Sequence, residues 1–321
     1  YSTCTASTAM AGAAMAMAGR IYSDYDKDFA DDCLKRAKAV WKYLSKEKES
    51  IYRVDEGQES GSGPYNDTDD ATERCWLAAE LFRTTGDKKY ENYLMKQQKN
   101  TILQKPSFFT WDNTLALAQF SYGMAANANH DFQLQVRQKL VDYANDIANT
   151  IKNDGYGCSL KAHEYTWAST KNAVTKGDIL LMAYQFEAKP EYIDGALDQI
   201  HYMFGRNALN KSFMTGMGEN PPEHPHNRIH ESTGAYVPGL VVGGPNAVSG
   251  GDPDQTKYIE ECKPAPAKCY LDVLMSWSTN EYAIDYNGAG IYALSYFMQP
   301  DKSITAKDLK LNRSFPKWSF E

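Results

Sequence analysis

The sequence has no apolar run of roughly 18 residues, the length that a membrane-spanning helix needs. Its mean hydropathy of −0.58 agrees with that absence, so no membrane association is expected. Basic charge is also scarce, because 34 Lys and Arg stand against 41 Asp and Glu, a formal net charge of −7. Nucleic-acid binding needs clustered Lys and Arg that displace counterions, so a nucleic-acid partner is not expected either.

Two kinds of ligand motif are missing as well. The six cysteines contain no pair at the CxxC spacing of a zinc site. The glycine-rich segment 238–246 matches neither GxGxxG nor GxxxxGK[ST], so a nucleotide site is not expected there. Cys262 and Cys269 bracket a Pro-rich loop, and a disulfide between them in an oxidising compartment stays open beside two free thiols.

Aromatic residues, in contrast, are plentiful, with 22 Tyr and 6 Trp. Most are expected in the core. Some are available as flat faces that stack on sugar rings.

The apolar residues recur at helical spacing along most of the chain. No segment between these stripes alternates with a period of two, so an all-α fold is predicted. The Gly- and Pro-rich stretch 205–268 is predicted to be a long functional loop that contributes to a binding face. The predicted helices cover residues 6–21, 29–44, 75–82, 115–125, 140–151, 172–186, 192–204 and 271–298.

Glu281 is the first candidate for chemistry. It lies in the aromatic-rich segment 276–287, at the predicted start of a helix. Apolar neighbours would raise the pKa of its carboxyl group and make it a general acid. The more ordinary interpretation is a favourable charge in the first turn of a helix.

A second candidate is the histidine-rich segment 218–230. His224, His226, Arg228 and His230 alternate, which would place their side chains on one side of an extended loop. Such a set suits hydrogen bonds to hydroxyl groups, and the arginine argues against a metal. The alternative is that these side chains only satisfy nearby backbone groups.

These segments occur in one order that resembles glycoside hydrolase family 9, the cellulase family. The resemblance extends over residues 1–298 and includes the acidic helix start and the A-A-E-L-F-R-T-T-G-D helix within 69–87. The C-terminal motifs are Gly205-Arg206-Asn207, Gly216-Met217-Gly218, Pro225-His226-Asn227-Arg228, the glycine-rich segment 238–246 and the N-E-Y-A-I-D-Y-N segment 280–287.

The resemblance implies an (α/α)6 barrel, here incomplete at its N-terminus, over residues 1–298, with 299–321 as a strap or linker. It implies inverting hydrolysis of β-1,4-glucosidic bonds with Glu281 as the acid. The sugar-binding residues implied by motif match are His226, Arg228 and Tyr286, with Trp167, Trp111 and Tyr65 as stacking surfaces. A structural calcium is implied at Glu73 and Asp112, although Thr72 replaces an acidic residue common in the family.

The chain departs from the family pattern in two places. Asn227 replaces the second histidine of P-H-H-R, which keeps a polar side chain. The D-A-G-D-Y segment that supplies the catalytic base has no counterpart. The base is therefore expected on a missing N-terminal segment of the same enzyme, and the isolated fragment is expected to be inactive.

The function expected from the resemblance is a secreted endo-β-1,4-glucanase that acts on β-glucan polysaccharide or cellooligosaccharide. An exo-acting cellobiohydrolase or exo-glucosaminidase of the same family would share these motifs. A noncatalytic carbohydrate-binding α/α barrel would fit the absent base.

Overall fold

The structure is a computed structural model that describes residues 3–52, 65 and 67–298. Within these residues the regular structure is helical, with four isolated β-bridges and no strand, so the prediction of an all-α fold is confirmed. Three 3-10 turns lie at Tyr22–Asp24, Ala162–Glu164 and Pro266–Lys268. The helices are α1 Thr5–Ile21, α2 Lys27–Leu44, α3 Ala71–Thr85, α4 Lys88–Lys96, α5 Lys99–Ile102, α6 Leu115–Gly123, α7 His130–Lys152, α8 Ser169–Tyr184, α9 Pro190–Met203, α10 Arg228–Thr233, α11 Pro253–Cys262, α12 Trp277–Asn280 and α13 Ile284–Phe297.

The chain forms two compact units. One contains the described residues up to Ile102 together with Met124–Ala128, and the other contains Leu103–Gly123 and Asn129–Met298. The predicted single barrel over 1–298 stays a prediction, and the strap or linker 299–321 lies outside the described residues. No helix in the described part of the chain is both long and apolar enough to cross a bilayer.

Small side chains let α1 pack closely in the first unit. Its buried face consists mainly of alanines and glycines, and a Cβ added to Gly12 would lie 2.6 Å from Val40 Cγ1 of α2. On α3, the Glu80 carboxylate forms an ion pair with Arg20 of α1 at 2.6 Å. Gly86 ends α3 with φ +69°, a left-handed conformation that glycine adopts without strain.

The second unit is built around α8, whose residues 169–183 are all buried. An apolar cluster joins it to α7 and α9, and a further cluster joins it to α13. A helix enclosed on every side must satisfy its polar side chains internally. Lys176 does so, because its Nζ donates to Glu164 at 2.6 Å and to the Ser159 carbonyl at 3.0 Å.

Asp178 of α8 has no such partner. Its side chain is fully buried, and neither carboxyl oxygen accepts a hydrogen bond from any residue that the structure describes. Burial raises the pKa of Asp178 well above its usual range, and the nearby charge of Lys171 only partly opposes this. Burial therefore favours the neutral carboxylic acid form of Asp178 in the folded protein.

We expect Asp178→Asn to stabilise the protein at neutral and alkaline pH. In the unfolded chain Asp178 ionises above a pH of about 4, whereas the raised pKa of the folded group delays its ionisation. Stability is therefore expected to fall by up to about 1.4 kcal/mol per pH unit as the pH rises from the unfolded pKa to the folded pKa. The amide side chain of the variant does not ionise, so this fall in stability with rising pH does not occur. Urea midpoints at about pH 5 and about pH 8 measure the change in pH dependence.

Asp194→Asn is the matched control, because Asp194 is exposed on α9. This control should leave the pH dependence of the urea midpoint as it is in the parent protein. An unchanged pH dependence in Asp178→Asn would mean that Asp178 is ionised in the native state.

The predicted loop 205–268 and the predicted helix 271–298 are both partly wrong. The loop contains α10 and also α11, which begins at Pro253 and whose N-cap Asp252 accepts a hydrogen bond from the Gln255 N–H. The predicted helix is divided into α12 and α13, with irregular backbone before and between them. Cys262 and Cys269, at the ends of the Pro-rich loop, are free thiols.

Candidate active site

Glu281 lies in an extended segment between α12 and α13, not at a helix start as predicted. It has φ −73° and ψ 149°, and α13 begins only at Ile284. Its backbone is held by another loop, because the Gly243 N–H donates to the Glu281 carbonyl at 2.8 Å and Val242 forms an antiparallel bridge with Tyr282. The interpretation of Glu281 as a first-turn helix charge is therefore wrong.

His226 lies beside Glu281 in the neighbouring segment. The two residues form a parallel bridge, and the His226 N–H donates to the Asn280 carbonyl at 2.9 Å. The ring nitrogen Nδ1 is 2.6 Å from the Leu274 carbonyl oxygen. Because a carbonyl only accepts, Nδ1 carries a proton, and Nε2 is the ring nitrogen left for a ligand.

The raised pKa of the Glu281 carboxyl group suits a general acid. The carboxyl group is half-buried, and burial raises its pKa above the usual value for glutamate, while the charge of His226 acts in the opposite direction. A raised pKa keeps a larger share of the carboxyl protonated near neutral pH, as a proton donor requires. The sequence-based expectation of a raised pKa is thus confirmed.

The glycine pair Gly243-Gly244 joins this site to the N-terminus of α8. The Thr170 N–H donates to the Gly243 carbonyl at 3.0 Å, and the Gly244 N–H donates to the Thr279 carbonyl at 2.8 Å. Gly244 has φ +81°, and a Cβ there would lie 2.1 Å from Thr170 Oγ1. Glycine at this position therefore lets the backbone approach α8 closely.

The indole of Trp277 completes the surroundings of His226. The two ring centroids are 6.0 Å apart, and Trp277 Nε1 donates to the Gly251 carbonyl at 3.0 Å. The hydrogen bond from Nε1 fixes the orientation of the indole. Trp277 was not among the predicted site residues, although its position four residues before Glu281 in the aromatic-rich segment 276–287 was a usable signal.

The other predicted sugar-binding residues of the second unit occupy different environments. Arg228 is exposed at the first position of α10, two residues beyond His226. Trp167 and Trp111 are 41% and 42% exposed, on turns that precede α8 and α6. Tyr286 is only 8% exposed and packs in the apolar cluster of α13, so its ring contributes to the core.

Tyr65 and Glu73 belong to the other compact unit. Tyr65 is 60% exposed. Glu73 is buried and accepts a hydrogen bond from the Thr72 hydroxyl at 2.6 Å. Asp112, the other implied calcium ligand, is exposed in the second unit and accepts from the Thr110 hydroxyl.

No cluster of three or more His, Cys, Asp or Glu side chains that could hold a metal occurs among the described residues. One local observation is compatible with a cation near Glu73. Asp70 is buried, and its Oδ1 pairs with Arg74 Nε at 2.8 Å while its Oδ2 has no hydrogen-bond partner. The calcium assignment stays a prediction.

The helical fold and these segments are shared with a family of glycoside hydrolases. A model of the family described as glycosyl hydrolase family 9 matches residues 1–294, and the chain belongs to this family. Its relatives include a cellulose 1,4-beta-cellobiosidase of Acetivibrio thermocellus, 31% identical over 92% of this chain and 36% of the relative. Endoglucanase D of the same organism is 32% identical over 92% of this chain and 44% of the relative.

Solved structures agree with this assignment. The family 9 endoglucanase J30 superposes with a TM-score of 0.87 at 39% identity, over 92% of this chain and 55% of that chain. A metagenome-derived family 9 endoglucanase gives a TM-score of 0.85 at 37% identity, over 92% and 53% of the two chains. The (α/α)6 fold class implied by the resemblance is thereby confirmed. This chain spans about half of each of these solved chains and less than half of the two curated relatives.

Proposed function

We propose that the protein to which this chain belongs is an endo-β-1,4-glucanase that hydrolyses cellulose or related β-glucans with inversion, and that Glu281 is its general acid. The observation that supports this most directly is the half-buried Glu281 carboxyl group, held beside His226 with a raised pKa. An acid of this kind protonates the glycosidic oxygen as the bond breaks.

His226 and Arg228 would bind hydroxyl groups of the sugar next to that bond. The fixed tautomer of His226 leaves Nε2 as an acceptor, or as a donor when the ring is charged. The exposed guanidinium of Arg228 offers several donors in one plane. The exposed rings of Trp167, Trp111 and Tyr65 would stack on further sugar units. A contact of Tyr286 with the sugar would use its hydroxyl group, since its ring is in the core.

Inversion needs a second carboxylate, roughly 6.5 to 9.5 Å from the first, that activates water. We propose that this base comes from a segment of the family 9 domain outside the present sequence. The limited share of the relatives that this chain spans supports the proposal.

The exposed face of α13 also supports such a segment. Ile284 is 95% exposed and Ile291 67% exposed, and their spacing of seven residues places them on one side of α13. Met298, 71% exposed, follows as the C-cap residue of the helix. Apolar side chains aligned this way are usually covered by another part of a protein. We propose that the rest of the family 9 domain, in the same polypeptide, covers this face.

Endo action is favoured over exo action by the two endoglucanase structures at 39% and 37% identity. The cellobiosidase relative, 31% identical, keeps exo action as the second candidate.

Secretion is proposed because polymeric β-glucan lies outside cells. Calcium remains proposed for Glu73 and Asp112 because oxygen ligands suit this ion.

We expect the full-length polypeptide to release α-anomeric products from cellopentaose, because attack of water opposite the β-bond inverts the configuration. Proton magnetic resonance during the first turnovers measures the anomer. With carboxymethylcellulose, a fall in viscosity that precedes most of the reducing-end release indicates endo cleavage.

Three other outcomes would contradict part of the proposal. First products in the β-configuration would contradict inversion. Cellobiose release with little loss of viscosity would favour the exo-acting alternative. Cellooligosaccharide binding without hydrolysis would favour the noncatalytic carbohydrate-binding barrel.

A further inference from the structure

A second carboxylate, Asp272, lies in the segment that leads to Glu281. Its Oδ2 accepts the Glu223 N–H at 2.8 Å and pairs with Lys211 Nζ at 2.9 Å. Its Oδ1 accepts the His224 N–H at 2.9 Å. Asp272 therefore fixes the backbone of the segment that continues to His226.

Asn280 connects Asp272 to the acid. It is fully buried, and its Nδ2 donates to Asp272 Oδ1 at 3.0 Å and to the His224 carbonyl. Its Oδ1 accepts from the Tyr270 hydroxyl at 2.6 Å. Through its backbone carbonyl it also accepts the His226 N–H. Asn280 thus forms two hydrogen bonds with the histidine segment, to the His224 carbonyl and from the His226 N–H, and is covalently bonded to Glu281.

Asp252, in another loop, holds the residues just before Asn280, but it bonds to Ser276 and Ser278 and not to Asn280 itself. Its Oδ2 accepts from the Ser278 N–H at 3.0 Å, the Ser278 hydroxyl at 2.6 Å and the Ser276 hydroxyl at 3.1 Å. Its Oδ1 caps α11. None of these bonds reaches the histidine segment. The two aspartates therefore have different effects, since only Asp272 connects the segments of Glu281 and His226.

We propose that Asp272 is a positioning residue that, through Asn280, holds the His226 ring alongside the Glu281 carboxyl group. The proposal deepens the function proposed above and rests on it for its catalytic consequence. Its structural part, the placement of the His226 ring, is independent of activity.

The charge of Asp272 suits this role. Burial would raise its pKa, but hydrogen bonds from the Glu223 N–H, the Lys211 side chain and the His224 N–H lower it below the usual value. Four donors converge on the two oxygens of this carboxylate. In Asp272→Asn, one of those oxygens becomes an NH2 group that faces donors, so the connection between the segments is lost even though the shape is kept.

The test uses the chain with isotope-labelled histidine and follows the Nδ1–H resonance of His226, identified by its loss in His226→Gln. We expect this resonance to move or disappear in Asp272→Asn, because the ring leaves the Leu274 carbonyl. Asp252→Asn loosens residues 276–278, including the neighbour Trp277, but removes no bond to the histidine segment, so it should change the resonance less than Asp272→Asn does. In full-length protein, Asp272→Asn should lower kcat by roughly tenfold or more while KM changes less than roughly threefold.

Asn280→Ser is the second variant if Asp272→Asn does not fold, because it leaves the Asp272–Lys211 ion pair intact and removes the amide connection. The same movement of the His226 resonance is expected. The proposal is overturned if the resonance is unchanged in the folded variant, or if Asp252→Asn changes it equally. If the full-length parent protein hydrolyses no glucan, the proposed function fails, while the resonance still decides the placement of His226.

Discussion

Glu281→Gln will lower the turnover of the full-length enzyme by about 10²- to 10⁴-fold and leave cellooligosaccharide binding nearly intact. The amide keeps the shape of the side chain but has no acidic proton to give to the leaving oxygen. The backbone of residue 281 is held by Gly243 and by the bridge to His226, so the substitution should not move it. Initial rates and calorimetric binding, measured on the same preparation, separate the two effects.

The pH dependence of the Glu281→Gln activity is a second test of the acid role of Glu281. A general acid acts only when protonated, so the parent activity should fall as the pH rises through the Glu281 pKa, which burial places above that of an ordinary glutamate. This alkaline limb should be absent from the residual activity of Glu281→Gln. Glu260→Gln, on an exposed position of α11, is the control and should match the parent. Near-normal turnover of Glu281→Gln would remove Glu281 from the acid role.

Gly244→Ala will destabilise the protein by about 2–5 kcal/mol, the sum of a left-handed backbone penalty and an overpacked contact. Gly244 has φ +81°, and an added Cβ would lie 2.1 Å from Thr170 Oγ1 and 3.2 Å from Ser169 Oγ. Both hydroxyls are buried at the N-terminus of α8, where space for a shift is limited. The urea unfolding midpoint measures the loss.

Gly239→Ala separates the two contributions. Gly239 lies in the same glycine-rich segment with φ +85°, but no atom of the described residues lies within 4 Å of an added Cβ. This variant should lose only about 1–2 kcal/mol from the backbone conformation. Equal losses in the two variants would show that the Thr170 hydroxyl rotates away and that close packing at Gly244 contributes little.

The helices that form the core could be predicted from the sequence because their apolar residues face one another at helical spacing. The predicted 6–21 and 29–44 correspond to α1 and α2 with small shifts at the ends. The helix α11 was missed because most of its residues are exposed and give no apolar stripe. Its start was nevertheless marked, since Asp252 is an N-cap residue and Pro253 follows it.

The candidate site was only partly predictable. The motif match brought together Glu281 and His226, which the structure places side by side. It did not predict the extended backbone of Glu281, because the groups that bond to it lie about 40 residues away along the chain. Asp272 had no local signal either, since an acidic residue in a loop acquires its role only when distant donors converge on it.

The backbone bonds around Glu281 bear on how the family tolerates sequence change. Its main-chain neighbours at His226 and Gly243 are joined to the Glu281 segment by amide and carbonyl groups, which every substitution except proline retains. Many surrounding side chains, apart from those of Asp272 and Asn280, can therefore differ without removing the main-chain bonds that hold the Glu281 backbone. Similarity in fold at 39% identity, with a TM-score of 0.87, is what such an arrangement allows.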